Sequence, residues 1–264
     1  SGRDAVAFAQ AQFMNDVAAL APGHWQWNGW LDPKGRVQAL FQLLRIDEET
    51  LLAVTASPVD ALAAALRRFL FRSKVAIDLP DLAVAGVLAR AREAAEDRIA
   101  SQGDVLELDL SSDAGERTLL LGANVPADTF SERDWSVLDL RHGWPGIPGA
   151  HLDAWTPQQL SLQRFPAFSV RKGCYPGQEI VARTHFLGRA KREAVLFEAV
   201  RGELPDGPLH GPEGATATPV ARAGNCCLAV ASCERPSGDW TSGDAVLVER
   251  PLAGGLSRPS ASVS

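Results

Sequence analysis

A chain of 264 residues that is 46% apolar is long enough for one large domain, or two to three small ones, around a real core. Its net charge of −6 excludes broad nucleic-acid binding, which needs a basic surface, and leaves room only for a local basic patch. Four cysteines (Cys174, Cys226, Cys227 and Cys233) are too few for a disulfide scaffold at this length, so free thiols in a reducing cytosol or organelle matrix are expected, and of the two the location expected is cytoplasmic. No apolar run approaches the roughly 20 residues of a transmembrane helix, and no membrane partner is expected.

In chain order, residues 4–20 predict a helix, with Phe13, Val17 and Leu20 on one face and Pro22-Gly23 as its stop. "GWLDPKGRVQALFQLLRI" predicts two short strands around a Pro33-Lys34-Gly35 turn. Ser57-Pro58 suits a helix start, and the helix it opens carries Leu62, Leu66 and Leu70. "KVAIDL" then reads as a strand and "AGVLARAREAAEDRIA" as a helix. In "DVLELDL" apolar Leu106, Leu108 and Leu110 alternate with acids, a half-buried strand, with "RTLLLGAN" as its partner. This alternation marks an α+β or α/β layer architecture. "HGWPGIPGAHLDAWTPQQL" is a Gly/Pro-rich ordered seam, with a further helix start at Thr156-Pro157. After residue 190, "REAVLFEAV", "GNCCLAVASCE" and "GDAVLVER" are short strands split by turns, a small antiparallel barrel. The tail from Pro251 is expected to be disordered.

The chemistry concentrates in "KGCYPGQE", residues 172–179. Cys174 is the leading candidate, because cations near a thiol favour the reactive thiolate, and Arg171 and Lys172 adjoin it while Arg183 lies within reach. The plainer reading is a cysteine held in a tight turn for packing. Gln178 and Glu179 offer an amide and a carboxylate that suit a heterocycle with donors and acceptors, against a plainer Glu179–Arg183 surface pair. Arg164, Arg171, Lys172, Arg183, Arg189, Lys191 and Arg192 face only Glu179 in the same stretch. That concentration suits a polyglutamate tail, a phosphate or an RNA backbone, or is simply a solvated face. Cys226 and Cys227 point to opposite faces of a strand and, with Cys233, read as structural. No histidine pairing, Walker loop or GxGxxG occurs, and no metal of the protein's own is expected. Trp25, Trp27 and Trp30 cluster, and Trp135, Trp144 and Trp155 bracket the seam, a supply of aromatic walls for a flat ligand or for the core.

"KGCYPGQEIVAR" is similar to the K-G-C-Y-x-G-Q-E signature, with an arginine four positions on, of the YgfZ family of folate-binding proteins. It matches at Lys172, Gly173, Cys174, Tyr175, Gly177, Gln178, Glu179 and Arg183. "DAVAFAQAQFMNDV" resembles the family's opening F-L-Q-G-Q-x-T-N-D-V, with Asn15 and Asp16 in register, and "LDPKGRV", "FRSKVAI" and "WSVLDLRHGWPGI" also find counterparts, so that the resemblance covers residues 1 to about 240. It implies the three-lobed, aminomethyltransferase-like α+β fold of the glycine cleavage T-protein around a central cavity. Residues 1–190 would form two interleaved folate-binding lobes, residues 191–250 the C-terminal β-barrel, and residues 251–264 the tail. It implies tetrahydrofolate as ligand, Trp135 as a folate contact, and iron–sulfur enzymes as clients, with tRNA thiomodification supported indirectly. Three positions depart from the pattern: Arg141 stands where the family has a glutamate, Ser161 where it has an asparagine, and Pro176 where it has a threonine.

The expectation is therefore a monomeric tetrahydrofolate-binding protein supporting iron–sulfur cluster assembly or repair. Cys174 and Lys172 would carry the chemistry, with Lys172 and Arg183 keeping the thiol ionised or binding folate glutamates. Trp135, Tyr175, Gln178, Glu179, Arg183, Asn15 and Asp16 would shape the ligand site. Two rivals stand beside it. One is a one-carbon (aminomethyl) transferase, with Asp16 replacing the missing acid. The other is a non-catalytic partner docking on an iron–sulfur enzyme or tRNA through the patch of residues 164–192.

Overall fold

A computed structural model describes residues 1–125, 130–188, 190–204 and 206–258. Helix α1 spans Ala5–Gln12, shorter than the predicted 4–20. Phe13 leaves the helix in an extended conformation and bridges Trp30. The side chain of Gln10 accepts from the backbone N–H groups of Val17 and Ala18, and that of Asn15 from Asp16. These local side-chain bonds give the backbone an alternative to the helical ladder. Phe13, Val17 and Leu20 still share one buried cluster with Leu66.

Strands β1 (His24–Leu31), β2 (Val37–Arg45) and β3 (Leu51–Val54) form an antiparallel sheet in that order, with the first hairpin closed by the turn at residues 32–36. Helix α2 spans Val59–Arg67, with Pro58 at its N-cap and Ser57 outside it. Residues 74–79, predicted as a strand, join no sheet; Ala76 exchanges backbone hydrogen bonds with Ser1.

The second sheet runs β4-β7-β6-β5, all antiparallel: β4 is Ala83–Val87, β5 Ala100–Gln102, β6 Val105–Asp109 and β7 Thr118–Gly122. The β6–β7 pairing agrees with the sequence. The helix expected over residues 85–100 does not form. Its first residues are an edge strand, and the Glu107 carboxylate accepts from the backbone N–H groups of Arg92, Glu93 and Ala94, fixing a turn instead. Tertiary demand overrides the helix propensity of an Ala/Glu/Arg-rich stretch, which is only a weak prior.

Helix α3, Glu132–His142, starts at Ser131, whose hydroxyl accepts from Asp134 N–H, and ends at left-handed Gly143. The seam that follows is irregular, and Thr156-Pro157 leads only to a 3-10 turn at Leu162–Arg164. Helix α4 is Gln178–Leu187. The remaining strands close a barrel: β8 (Arg192–Arg201), β9 (Leu209–His210), β10 (Thr216–Ala223), β11 (Cys226–Ser232), β12 (Trp240–Ser242) and β13 (Ala245–Arg250), in the order β10-β11-β8-β13-β12-β9. Cys227 faces the barrel interior, while Cys226 lies in the wall packed on α3.

Residues 251–258 are not a loose tail. Leu256 is buried in the main core, its carbonyl accepts from Trp27 Nε1, and the Arg258 guanidinium donates to carbonyls of Glu96, Ser111 and Gly255. Residues 259–264 lie outside the described residues. No helix among those described is long and apolar enough to cross a membrane.

Candidate functional site

Helix α3 is a wedge between two environments. Leu140, on one side, packs on the barrel with Leu196, Ala221 and Leu228. Trp135, Ser136 and Asp139, spaced i, i+1 and i+4, face a cavity of about 440 Å³ between the two sheets and the seam. Its apolar walls include Leu40, Ala85, Leu119 and Ile147. Trp144 lines it and packs tilted at 50° against Trp27, centroid to centroid 4.3 Å, so the floor is a packed aromatic cluster. A Cβ on Gly86 would lie 2.4 Å from the Trp135 ring; only a bare backbone lets β4 approach the indole this closely.

Behind Trp135 lies an ion pair. Arg117 Nη1 is 2.8 Å from Asp139 Oδ1, both side chains are buried, and the guanidinium stacks 4.9 Å from the Trp135 ring centroid. Burial pushes the Asp139 carboxyl up from its ordinary range, and the Arg117 guanidinium opposes the rise. Arg117 Nη2 finds no hydrogen-bond partner among the described residues. Sequence reading missed both groups. Asp139 follows Trp135 by four on a helix, which puts them on one face, and Arg117 sits in the inward register of Leu119 and Leu121, where a cation needs a buried partner. Arg141 in the family's acid position is exposed and interacts with Cys226 and Glu198 of the barrel.

The residues of the thiol motif build a different place. None of them lines the cavity. Cys174 is exposed on the turn before α4. Lys172, expected to keep that thiol ionised, is only 6% exposed, and its Nζ donates to the carbonyls of Gln10 (2.5 Å), Phe13 (2.5 Å) and Asn15 (3.0 Å). It caps the end of α1, whose last carbonyls have no helical partner. Burial draws its ammonium down to about 8, and nearby Asp16 opposes this. Tyr175 is buried, donates from its hydroxyl to Ser169 O, and has its phenol pushed up by burial. Gln178 Nε2 donates to Lys172 O. Asn15 Nδ2 donates to Trp27 O and Pro166 O, and Asp16 accepts from Gln10 Nε2. These five side chains are framework beneath the thiol. Glu179 and Arg183 lie exposed on α4 and form no ion pair with each other.

The Pro176-Gly177 step also has a packing role. Gly177 has φ 78°, and a Cβ there would lie 2.5 Å from Gly35 Cα, because the thiol turn sits directly on the β1–β2 hairpin turn. Gly177→Ala combines a left-handed alanine with a backbone clash and is expected to cost about 2 kcal/mol in urea unfolding; a cost below half of that would show that the two turns separate freely.

The basic stretch of residues 164–192 is not one surface. Lys172 is buried, Arg164 donates to Ala253 O of the C-terminal strap, and Arg189 lies outside the described residues. Ser161, the second departure, holds φ 54° and accepts from Ala194 N on β8, a left-handed position that asparagine would also suit. Among the described residues no group of three or more His, Cys, Asp or Glu side chains is placed to hold a metal ion.

No family model matches the chain. The chain is 31% identical over 201 residues to an uncharacterized protein of Haemophilus influenzae, covering 75% of this chain and 68% of that one. It is 30% identical over 228 residues to the tRNA-modifying protein YgfZ of Serratia proteamaculans, covering 78% and 69%. Its structure is similar to that of the glycine cleavage system aminomethyltransferase T from Bartonella henselae, with a TM-score of 0.64 at 15% identity over 97% of this chain and 81% of that one. The α+β, three-lobed aminomethyltransferase-like fold expected from the sequence is thus the fold observed, barrel included. With the fold and these relatives in agreement, the chain belongs to the YgfZ family.

Proposed function

We propose that this is a cytoplasmic, monomeric tetrahydrofolate-binding protein that supports iron–sulfur cluster assembly or repair and, through an iron–sulfur client, tRNA modification. The observation that carries the folate part is the cavity: a flat indole, Trp135, beside a buried carboxylate, Asp139, in apolar walls. Its volume of about 440 Å³ falls within the range of small-ligand pockets, roughly 300–1,000 Å³. A pterin is flat and edged with donors and acceptors, so Trp135 would stack on it and Asp139 would accept from its N–H groups. Bound tetrahydrofolate would supply nitrogen atoms that carry a one-carbon unit. Cys174, exposed and away from the cavity, would serve a client at the surface rather than the folate.

A specific observation also favours aminomethyl transfer. The reaction needs a carboxylate near the folate nitrogens, and Asp139 provides one on the cavity wall where Arg141 does not. Methylenetetrahydrofolate formed from an aminomethyl donor by the wild type, with the donor's nitrogen released as ammonia and its carrier freed, and absent with Asp139→Asn, would establish it.

Anaerobic titration with tetrahydrofolate, followed by tryptophan fluorescence, tests the binding. Saturable quenching is expected, weakened about tenfold in Trp135→Ala, equivalent to about 1.4 kcal/mol, and retained in Cys174→Ala. No saturation up to millimolar ligand would overturn the folate reading.

A further inference from the structure

The end of α2 and the turn after it carry "RRFLFRSK", residues 67–74. Arg67, Arg68, Arg72 and Lys74 are all exposed there; the segment contains no acid between Asp60 and Asp78, and the Asp4 carboxylate reaches it through the backbone N–H of Lys74. None of the four makes a side-chain ion pair among the described residues. Two phenylalanines interleave with these cations. Phe69 meets Trp30 edge to face at 6.3 Å, whereas Phe71 has no ring partner among the described residues and is 91% exposed. Phe71 also holds φ 41°, a left-handed conformation that is an outlier for a bulky residue and that turns the ring outward.

We propose that this basic, aromatic turn is a contact site for single-stranded RNA, with a base stacked on Phe71 and phosphates held by Arg68, Arg72 and Lys74. The chemistry is that of single-strand recognition, in which cations follow the backbone and a free aromatic face receives a base. A chain of net charge −6 has no general affinity for nucleic acid, and a compact patch of four exposed cations, with Asp4 at its edge, gives it a local one. A membrane surface fits less well. It needs a broad apolar helix face, and the apolar face of α2 is spent on the core through Ala63 and Leu66. The patch and the thiol turn brace the two ends of α1. Asp4 accepts from Lys74 N–H at 2.7 Å before the helix, and Lys172 caps its far end, one eight-residue helix or about 12 Å away. The site goes beyond the indirect link to tRNA proposed above, and it stands independently of folate binding.

Fluorescence anisotropy with a labelled, unstructured RNA of about 15 nucleotides, and with unfractionated tRNA, at 50 and 200 mM KCl tests it. The wild type is expected to bind, with affinity falling steeply with salt. Phe71→Ala is expected to weaken binding about tenfold or more. Arg68→Glu with Arg72→Glu is expected to weaken it further and to flatten the salt dependence, by about 0.7 in log–log slope for each phosphate no longer neutralised. Lys191→Glu with Arg192→Glu, distant in sequence and on the barrel side, should leave affinity within about twofold. All substituted positions are exposed, and unchanged thermal unfolding confirms the fold of each variant. No binding at 50 mM KCl, an unaffected Phe71→Ala, weakening confined to the Lys191/Arg192 variant, or tighter binding to phosphatidylserine vesicles than to RNA would each overturn the proposal. Tetrahydrofolate quenching measured in Phe71→Ala keeps the two readings separate, since it should be unchanged whichever way the RNA result falls.

Discussion

Lys172→Met is expected to lower folding stability at pH 7 by about 3 kcal/mol. The lysine Nζ serves three carbonyls, those of Gln10, Phe13 and Asn15, at a point where α1 has just ended and the chain turns into β1. Methionine fills the volume but leaves those acceptors without a donor in a buried place, and each such orphaned group costs about 1–3 kcal/mol. Relief from burying an ammonium, which draws Lys172 down to about 8, offsets part of this and keeps the total below the simple sum. Arginine should not rescue the site, because a planar fork cannot reach three carbonyls that converge on one nitrogen. Urea unfolding followed by tryptophan fluorescence reads the change directly. A decrease under about 1 kcal/mol would mean that the end of α1 is held by its apolar packing with Leu66 rather than by the lysine.

A second large effect should appear on acidification. His142 is 1% exposed; its Nδ1 meets Leu138 O and its Nε2 meets Ser112 Oγ, each at 2.7 Å. Burial draws its value down from 6.5 to about 4, helped by the Arg117 and Arg164 charges, so the folded protein holds it neutral, with Nδ1 as donor and Ser112 as donor to Nε2. Because the folded value lies below the unfolded one, its stabilising effect is complete above pH 6.5 and is lost as the pH falls toward 4. The difference of about 2.5, at about 1.4 kcal/mol for each, amounts to about 3.5 kcal/mol over the full range. Urea midpoints from pH 7 to 4.5 should therefore fall more steeply for the wild type than for His142→Gln, which cannot titrate. Parallel curves would assign the acid sensitivity to carboxylates alone.

The strands of this fold are readable from short apolar and β-branched runs bounded by Gly, Pro and Asp turns, even where, as in β1, β2 and β11, both faces are buried. The hairpin of β1 and β2, the β6–β7 pair and the barrel strands β8, β11 and β13 form as predicted, whereas β9, β10 and β12 of the barrel lie outside the predicted strands. Residues 85–100 carry a helical composition and become a strand edge and a turn, because Glu107, well downstream, captures their N–H groups. No local pattern announces that capture. The thiol motif is legible as a motif, but its wording hides where its side chains go. Lys172 stands two residues from Cys174, yet its acceptors are 157 to 162 residues away in sequence. Sequence reading places the acid of the cavity at Arg141's position or at Asp16, whereas Asp139 on the Trp135 face of α3 occupies the wall. Helical spacing contains that answer, while the inward register of Arg117 becomes meaningful only once a buried partner is known.

The strap of residues 251–258 also bears on how the protein is made. Leu256 leaves the ribosome 229 residues after Trp27, yet it completes a core that includes Met14, Trp25 and Trp27. The first sheet can form early, but its aromatic interior is not fully covered until residue 256 has been synthesised. Trp144 and Phe165 cover part of it on the way, and a ribosome stalled short of residue 256 leaves a product in which the last gap over Trp27 has never been closed.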